Sequence, residues 1–314
     1  MLPDHRPLRI GSRTSAMAVS MARTAAEAIT DAADVPVDLV GIRTTGDQWK
    51  GDLAEIGGKG AFLKQIEQAL VAGEIDIAVH AMKDVPGDVD APEDIGFAAY
   101  LARTDVRDVL IARPGFPCTS LARMPPGTRI GTSAVRRRAQ LLQHRPDVRV
   151  GRVRGNADER IARMDEHAEV DALVLNRSGL DHVGLAGRVS DVLPTEVMCP
   201  PVGAGVVGLQ CRTADTAIRD LLRLVDDPQT RIHVTAERAM LRALRGHCNS
   251  PIAGHARSAD RQLDLVGMVF TSDGAGFLST HHRAAADNPA ALGAGVAADL
   301  LEKGARAIID ASAY

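Results

Sequence analysis

What most constrains the fold of this chain is the regular exchange of short β-branched runs with longer stretches of helical periodicity. Residues 8–11, 37–42, 75–80, 109–112, 148–153 and 172–175 are compact apolar runs that read as buried strands. Between them, residues 16–33, 61–72, 134–144 and 157–167 repeat their apolar positions at helical spacing. Strand, helix, strand repetition lays successive strands side by side under a helical cover, which predicts an α/β fold with mostly parallel sheets. At 314 residues the chain exceeds one ordinary core. The polar segment 103–108 and the Pro- and Gly-rich segment 194–205 read as crossings into a second α/β domain and back. Asp226-Asp227-Pro228 is a third break. Beyond it, a helix at 229–244, strands at 252–256, 263–270 and 276–281, and a terminal helix from about 289 to 309 predict a small α+β unit. The expected domain limits are 1–104 with 199–225, then 105–198, then 226–314.

Composition narrows the functional classes. An apolar fraction of 45% and a charged fraction of 25% are those of an ordinary globular protein. Aromatics are only 3%, so the cores must be built from Val, Leu, Ile, Ala and Met. No stretch reaches the roughly 18 apolar residues of a membrane helix. The opening residues carry no apolar signal region, which predicts a cytoplasmic protein with no membrane partner. Cys118, Cys199, Cys211 and Cys248 show no CxxC pairing and no zinc-like spacing with His, so reduced thiols and no metal are expected. A net charge of −3 argues against a nucleic-acid binder. That charge is unevenly spread: between Arg129 and Arg163 stand ten Arg against Asp147, Asp158 and Glu159. A local basic surface in a slightly acidic protein points to a compact anionic ligand.

Several short motifs carry candidate chemistry. Gly57-Gly58-Lys59-Gly60 could present backbone N–H groups to an anion, although a plain turn explains it as readily. It is no Walker loop, since Gly60 stands where the magnesium-binding hydroxyl belongs. Thr132 and Ser133 follow a strand and open the helix bearing Arg136, Arg137 and Arg138. Hydroxyls at a helix start can cradle a carboxylate or simply cap the helix. Arg154-Gly155-Asn156 repeats the layout after the next strand, with Arg160 one turn on. Two basic strand-to-helix turns in succession favour a ligand site, because open α/β sheets bind ligands at those strand ends. Lys83 and Asp84 set a base and an acid side by side at a strand end before Val85-Pro86, which could steady a cationic reaction centre or form a surface pair. Cys248, in Gly246-His247-Cys248-Asn249-Ser250-Pro251, could be a covalent attachment point or an ordinary loop thiol.

Taken in order, these segments resemble the signatures of the porphobilinogen deaminase (hydroxymethylbilane synthase) family. The matching stretches are Ile10-Gly11-Ser12-Arg13-Thr14-Ser15, Gly57-Gly58-Lys59-Gly60-Ala61-Phe62, His80-Ala81-Met82-Lys83-Asp84-Val85-Pro86, Gly131-Thr132-Ser133-Ala134-Val135-Arg136-Arg137 and Arg154-Gly155-Asn156. The cofactor-loop pattern follows at Cys248 to Ile252. The resemblance runs from about residue 8 to 260 and is looser beyond.

It implies three domains: two α/β domains, arranged like a periplasmic binding protein around a deep cleft, and a small C-terminal α+β domain. It implies a dipyrromethane cofactor in thioether linkage to Cys248. Each cycle would deaminate a porphobilinogen to a reactive azafulvene, couple it to the growing chain, and after four units release linear hydroxymethylbilane. Asp84 matches the carboxylate that stabilises the cationic centre. Arg13, Ser15, Lys59, Lys83, Thr132, Ser133, Arg136, Arg137, Arg154, Asn156 and Arg160 match positions that hold cofactor and substrate. Arg suits the acetate and propionate carboxylates because its planar fork binds them bidentately. The family relation also implies a monomer whose partner is porphobilinogen.

The sequence departs from the family at several points. Ala134 stands for a Ser, His182 for a substrate-facing Arg, and Asn176-Arg177-Ser178 for small apolar residues. Ala204 replaces a Gln and Gln210 a Glu. One reading is drift, with Arg177 supplying the charge lost at His182. The alternative is a divergent paralogue that binds a pyrrole or another small anion without efficient catalysis, since the two-domain cleft also serves binding proteins. Such a protein would have no use for Asp84 and Cys248 together, which favours the enzyme.

Overall fold

The computed structural model describes residues 6–49, 60–89, 92–246 and 250–311. Along the chain run β1 (Leu8–Arg13), α1 (Ala16–Ala33), β2 (Val37–Ile42), α2 (Thr45–Gln48), α3 (Lys64–Val71), β3 (Ile77–Ala81) and β4 (Ile95–Tyr100). Then come β5 (Asp108–Ala112), β6 (Arg129–Gly131), α4 (Val135–His144), β7 (Arg149–Gly151), α5 (Ala157–His167), β8 (Ala172–Asn176), α6 (Arg177–His182) and β9 (Asp191–Val192). The chain ends with β10 (Val207–Arg212), α7 (Thr216–Arg223), α8 (Pro228–Ala243), β11 (Ile252–Ala259), β12 (Gln262–Phe270), β13 (Phe277–Ala285), α9 (Pro289–Glu302) and α10 (Ala305–Ala311).

These strands make three sheets. The first has the order β2-β1-β3-β10-β4 and the second β7-β6-β8-β5-β9. The two orders are the same arrangement. In each, the strand that enters from the other sheet, β10 or β5, lies fourth and runs antiparallel to both neighbours, while the strands on either side of it share one direction. The expectation of mostly parallel sheets therefore holds, and the reversed strand in each marks where the chain has crossed over.

Local chemistry accounts for the elements. Ser15 caps α1 by accepting from Ala18 N–H, and the helix buries Ala18, Met21, Ala22, Ala25 and Ile29 at helical spacing. Those residues pack on Leu8, Ile10, Ile77 and Val79 from the first sheet. A fully buried side chain such as Ile10 contributes about 2 kcal/mol of hydrophobic stabilisation. The helix expected at 61–72 is shorter, Lys64–Val71, because residues 60–63 form a turn. The terminal helix expected at 289–309 is two helices, parted where Gly304 takes a φ of 95°.

The third sheet, β11-β12-β13, is antiparallel throughout. Helices α8 and α9 bury Met240, Leu241, Val296 and Leu300 against Leu263 and Leu265 of its middle strand. No helix among the described residues is long and apolar enough to cross a membrane.

Candidate active site

The C-terminal ends of β1 and β3 face those of β6, β7 and β8 across a cleft of about 720 Å3. From the first sheet the cleft receives Arg13, Lys83, Asp84 and Val85; from the second it receives Ser133, Arg136, Arg137, Arg154, Asn156 and Arg160. Strand ends on which the connection reverses are where open α/β sheets leave a crevice. Lys59 and Cys248 lie outside the described residues, but Ser250 and Ile252, just past Cys248, line the same cleft.

The cations of the second sheet divide by function. Arg136 and Arg137 both reach Asp108, at 2.6 and 2.8 Å, and all three are buried. Arg136 also donates to the Cys199 carbonyl, so its guanidinium is engaged inside the protein. Burial works to raise the Asp108 carboxyl, and the two guanidiniums overcome it and hold it below its ordinary value. Arg137 is less satisfied: Nη1 makes a long 3.3 Å bond to the Val174 carbonyl, and Nε is buried with no partner among the described residues. Arg160 has its pKa brought down to about 10, first by burial and then by Arg137 and Arg154 beside it. Lys83 is lowered as well, by burial first, with Arg137 and Arg160 pushing the same way against Asp84 and Asp108. Cations that depress one another across one cavity make a site that anions relieve.

Asp84 ends a 3-10 turn, Met82–Asp84, directly after β3. Its side chain is 31% exposed, and Arg13 Nη1 stands 4.0 Å from its Oδ2. Arg13 is itself held in place: Nε donates to Asp47 Oδ1 at 3.1 Å, and its guanidinium lies 4.2 Å from the centre of the Phe62 ring. Burial tends to raise the Asp47 carboxyl, but Arg13 and Thr44 hold it low. The result is an acid at the cleft floor with a fixed cation beside it.

Not every matched residue reaches the cleft. Ser15 is engaged as the cap of α1. Thr132 is buried and accepts from Ala134 N–H at 3.3 Å. The cap position of α4 is Ala134, with no side-chain cap, rather than Thr132 or Ser133 as the sequence suggested. No side-chain cap forms at Ala134, since a methyl group accepts no hydrogen bond. Asn156 does cap α5, in a capping box where Glu159 accepts from Asn156 N–H at 2.8 Å. Arg177 turns to Asp181, with Nε 3.0 Å from its Oδ1, and is not among the cleft residues. His182 does not stand in for the missing Arg either. Its Nδ1 lies 3.0 Å from Ser20 Oγ, joining α6 to α1 across the two lobes.

The other departures also find partners. Gln210 Oε1 meets His80 Nε2 at 3.1 Å, and its Nε2 donates to Glu67 at 3.3 Å. Burial brings His80 down to about 4 despite that bond, so a neutral amide suits a neutral imidazole. Ala204 is buried on the return crossing between Gly203 and Gly205, which have φ of 74° and 68°. A β-carbon at Gly205 would stand 2.5 Å from Thr104 O, so the two crossings touch only because glycine is there.

Sequence reasoning missed Asp47, Trp49, Phe62, Asp108 and Arg163. A Thr44-x-x-Asp47 helix-start signature was available for the first. Asp108 gives no local signal, because its partners are 28 and 29 residues away. Two further cysteines can be set aside as nucleophiles: burial pushes Cys199 up to about 12 and Cys211 to about 11.

With the cleft described, relatives can be compared. Residues 8–220 match the family model "Porphobilinogen deaminase, dipyromethane cofactor binding domain", and residues 231–302 match "Porphobilinogen deaminase, C-terminal domain". The chain is 47% identical to porphobilinogen deaminase 2 of Streptomyces coelicolor over 98% of this chain and 97% of that protein. It is 40% identical to the porphobilinogen deaminase of Pelobacter propionicus over 97% of each chain. To that of Rubrobacter xylanophilus it is 41% identical over 96% of each.

Proposed function

This chain belongs to the porphobilinogen deaminase family, and from that premise we propose that its cleft cations hold the carboxylates of a growing pyrrole chain while Asp84 serves the reacting ring. The activity is that of a transferase, hydroxymethylbilane synthase: porphobilinogen units are joined head to tail with loss of ammonia. The observation that carries the residue assignment is the crowding of Lys83, Arg137, Arg154 and Arg160 around one cavity that also holds Asp84.

The donor set fits the family's dipyrromethane cofactor. Each pyrrole bears an acetate and a propionate, and the buried Arg137 Nε has no partner among the described residues. When bound, that cofactor supplies the free pyrrole α-carbon to which each new unit is joined. Cys248 would carry it by a thioether. Ser250 and Ile252 in the cleft support that placement, since they follow Cys248 within a few residues.

Each residue then has a task set by its surroundings. Loss of ammonia leaves positive charge on the substrate's methylene-pyrrole, and the Asp84 carboxylate stabilises that charge and accepts from pyrrole N–H. Positioned acid–base work of this kind contributes about 10²–10⁴-fold. Arg13, steadied by Asp47 and Phe62, stands beside Asp84 and offers one face to a carboxylate. Arg137, Arg154, Arg160 and Lys83 bind carboxylates, and Ser133 and Asn156 add polar contacts at the same wall. Arg136 acts one layer behind, sharing Asp108 with Arg137.

For Lys59, Ser15 and Thr132 the family match alone supports a binding role. The domain limits 1–104 with 199–225, 105–198 and 226–314 are supported by the strands of each sheet falling within them. The family relation supports a cytoplasmic monomer.

The test is the mass of the intact, denatured protein. An excess of two porphobilinogen units less two ammonias, mapped to Cys248, is expected. An unmodified mass that persists after incubation with porphobilinogen would overturn the attachment. Asp84→Ala should give a folded, cofactor-bearing protein with very little turnover, and near-normal product formation would remove Asp84 from its role.

A further inference from the structure

The turn that carries Lys83 and Asp84 is gripped from two sides. On one side lies the return crossing: Met82 N–H donates to the Val206 carbonyl at 3.0 Å, and a β-carbon on Gly203 would stand 2.8 Å from the Met82 carbonyl carbon. On the other side lies α8 of the C-terminal unit. Arg238 Nη1 donates to the Val85 carbonyl and Nη2 to the Pro86 carbonyl, each at 3.1 Å. One residue further, Gly87 N–H donates to the Gly246 carbonyl at 3.0 Å, and a β-carbon on Gly87 would meet Leu241 Cγ at 2.7 Å. Gly246 N–H returns to the Leu241 carbonyl at 2.9 Å. Strand end, helix and Gly246 thus form a closed circuit.

Arg238 has no evident part in holding carboxylates. It is half-buried, is not among the cleft residues, and both its acceptors are backbone carbonyls directly after Asp84. A planar fork suits two carbonyls one residue apart, where a point-charge ammonium would satisfy only one of them well. Its neighbour Glu237 is fully buried and pairs with Arg103 of the first crossing. The helix that ties down the crossings therefore also ties down the turn that bears the acid.

We propose that Arg238 is a positioning residue, whose guanidinium fixes the Val85 and Pro86 carbonyls and so sets where Asp84 stands in the cleft. This rests on the roles of Asp84 and Cys248 given above. Misplacing a catalytic group by about 1 Å costs on the order of 100-fold in rate. The cost falls mainly on turnover, because Arg137, Arg154 and Arg160, which hold the substrate's carboxylates, stand on the opposite wall of the cleft.

The experiment compares Arg238→Met and Arg238→Lys with the wild-type holoenzyme. It reads kcat, KM and thermal midpoint, together with the rate at which each apo-protein gains cofactor mass at Cys248 on addition of porphobilinogen. Arg238→Met should lower kcat by on the order of 100-fold, leave KM nearly unchanged, and slow cofactor uptake. Arg238→Lys should recover part of both rates. Wild-type kcat and wild-type uptake in Arg238→Met, with Asp84→Ala still inactive, would overturn the proposal and leave the Asp84 reading standing. Normal turnover by Asp84→Ala would instead remove that reading. Should Arg238→Met fail to fold, Arg238→Lys decides: reduced kcat at an unchanged thermal midpoint supports the proposal, and wild-type kcat overturns it.

Discussion

Replacing Glu237 by Gln should destabilise this protein more than most single changes. The Glu237 carboxylate is fully buried and serves four donors from three parts of the chain. Oε1 accepts from Arg103 Nη1 at 2.7 Å and from Ala256 N–H at 2.8 Å; Oε2 accepts from Arg103 Nη2 at 3.2 Å and from Gly203 N–H at 2.8 Å. Arg103 lies on the outgoing crossing, Gly203 on the return crossing and Ala256 on β11, so one side chain ties both crossings to the C-terminal sheet. Glutamine keeps the shape but loses the charge and one acceptor. Removing one partner of a buried ion pair costs about 3–5 kcal/mol, because the other is left uncompensated. A stranded backbone donor adds about 1–3 kcal/mol. Against a total stability on the order of 5–15 kcal/mol, a loss near 4 is a large share. The thermal midpoint, followed by circular dichroism, should fall by roughly 10 °C. The paired change Arg103→Met with Glu237→Met should be less harmful than Glu237→Gln alone, since it strands no charge. A midpoint within about 2 °C of wild type for Glu237→Gln would refute the reasoning.

Asp108→Asn leaves Arg136 and Arg137 facing each other with a neutral partner, so stability should fall by about 3–5 kcal/mol in denaturant titration; a change under about 1 kcal/mol would show that the triad is not a structural anchor. Acid should destabilise the protein through His80. The unfolded chain takes up that proton near pH 6.5 and the folded one only at about 4, so stability is lost as pH falls through this window, by roughly 3 kcal/mol from this site. His80→Gln should flatten that stretch of the stability–pH curve, and an unaltered slope would contradict it. Arg177→Ala should leave KM for porphobilinogen unchanged, because Asp181 holds the guanidinium outside the cleft; a several-fold rise would restore Arg177 to the site.

Periodicity and composition by themselves determined the class of this fold. Apolar runs such as 109–112 and 172–175 became buried strands, whereas 37–42 and 148–153, also expected to be buried, became the edge strands β2 and β7, with no residue of either strand buried because each pairs on one side only. The polar and Pro/Gly-rich breaks marked the crossings, and the excess of Arg between 129 and 163 pointed to an anionic ligand, because like charges gathered on one surface attract the opposite sign. The ordered motifs carried the family.

Tertiary structure alone decided which cation does what. Arg136 and Arg137 are adjacent in sequence and share Asp108, yet Arg136 also donates to the Cys199 carbonyl while Arg137 keeps a buried Nε with no partner among the described residues. His182 stands in the sequence beside the cation-bearing turn, and the fold sends it to Ser20, 162 residues away. Arg238 resembles any helical surface Arg until the Asp84 turn is laid beside it. The reason is physical. Burial follows from the local pattern of side chains, whereas an ion pair or a forked hydrogen bond depends on groups tens to more than a hundred residues away, which only packing brings within 3 Å.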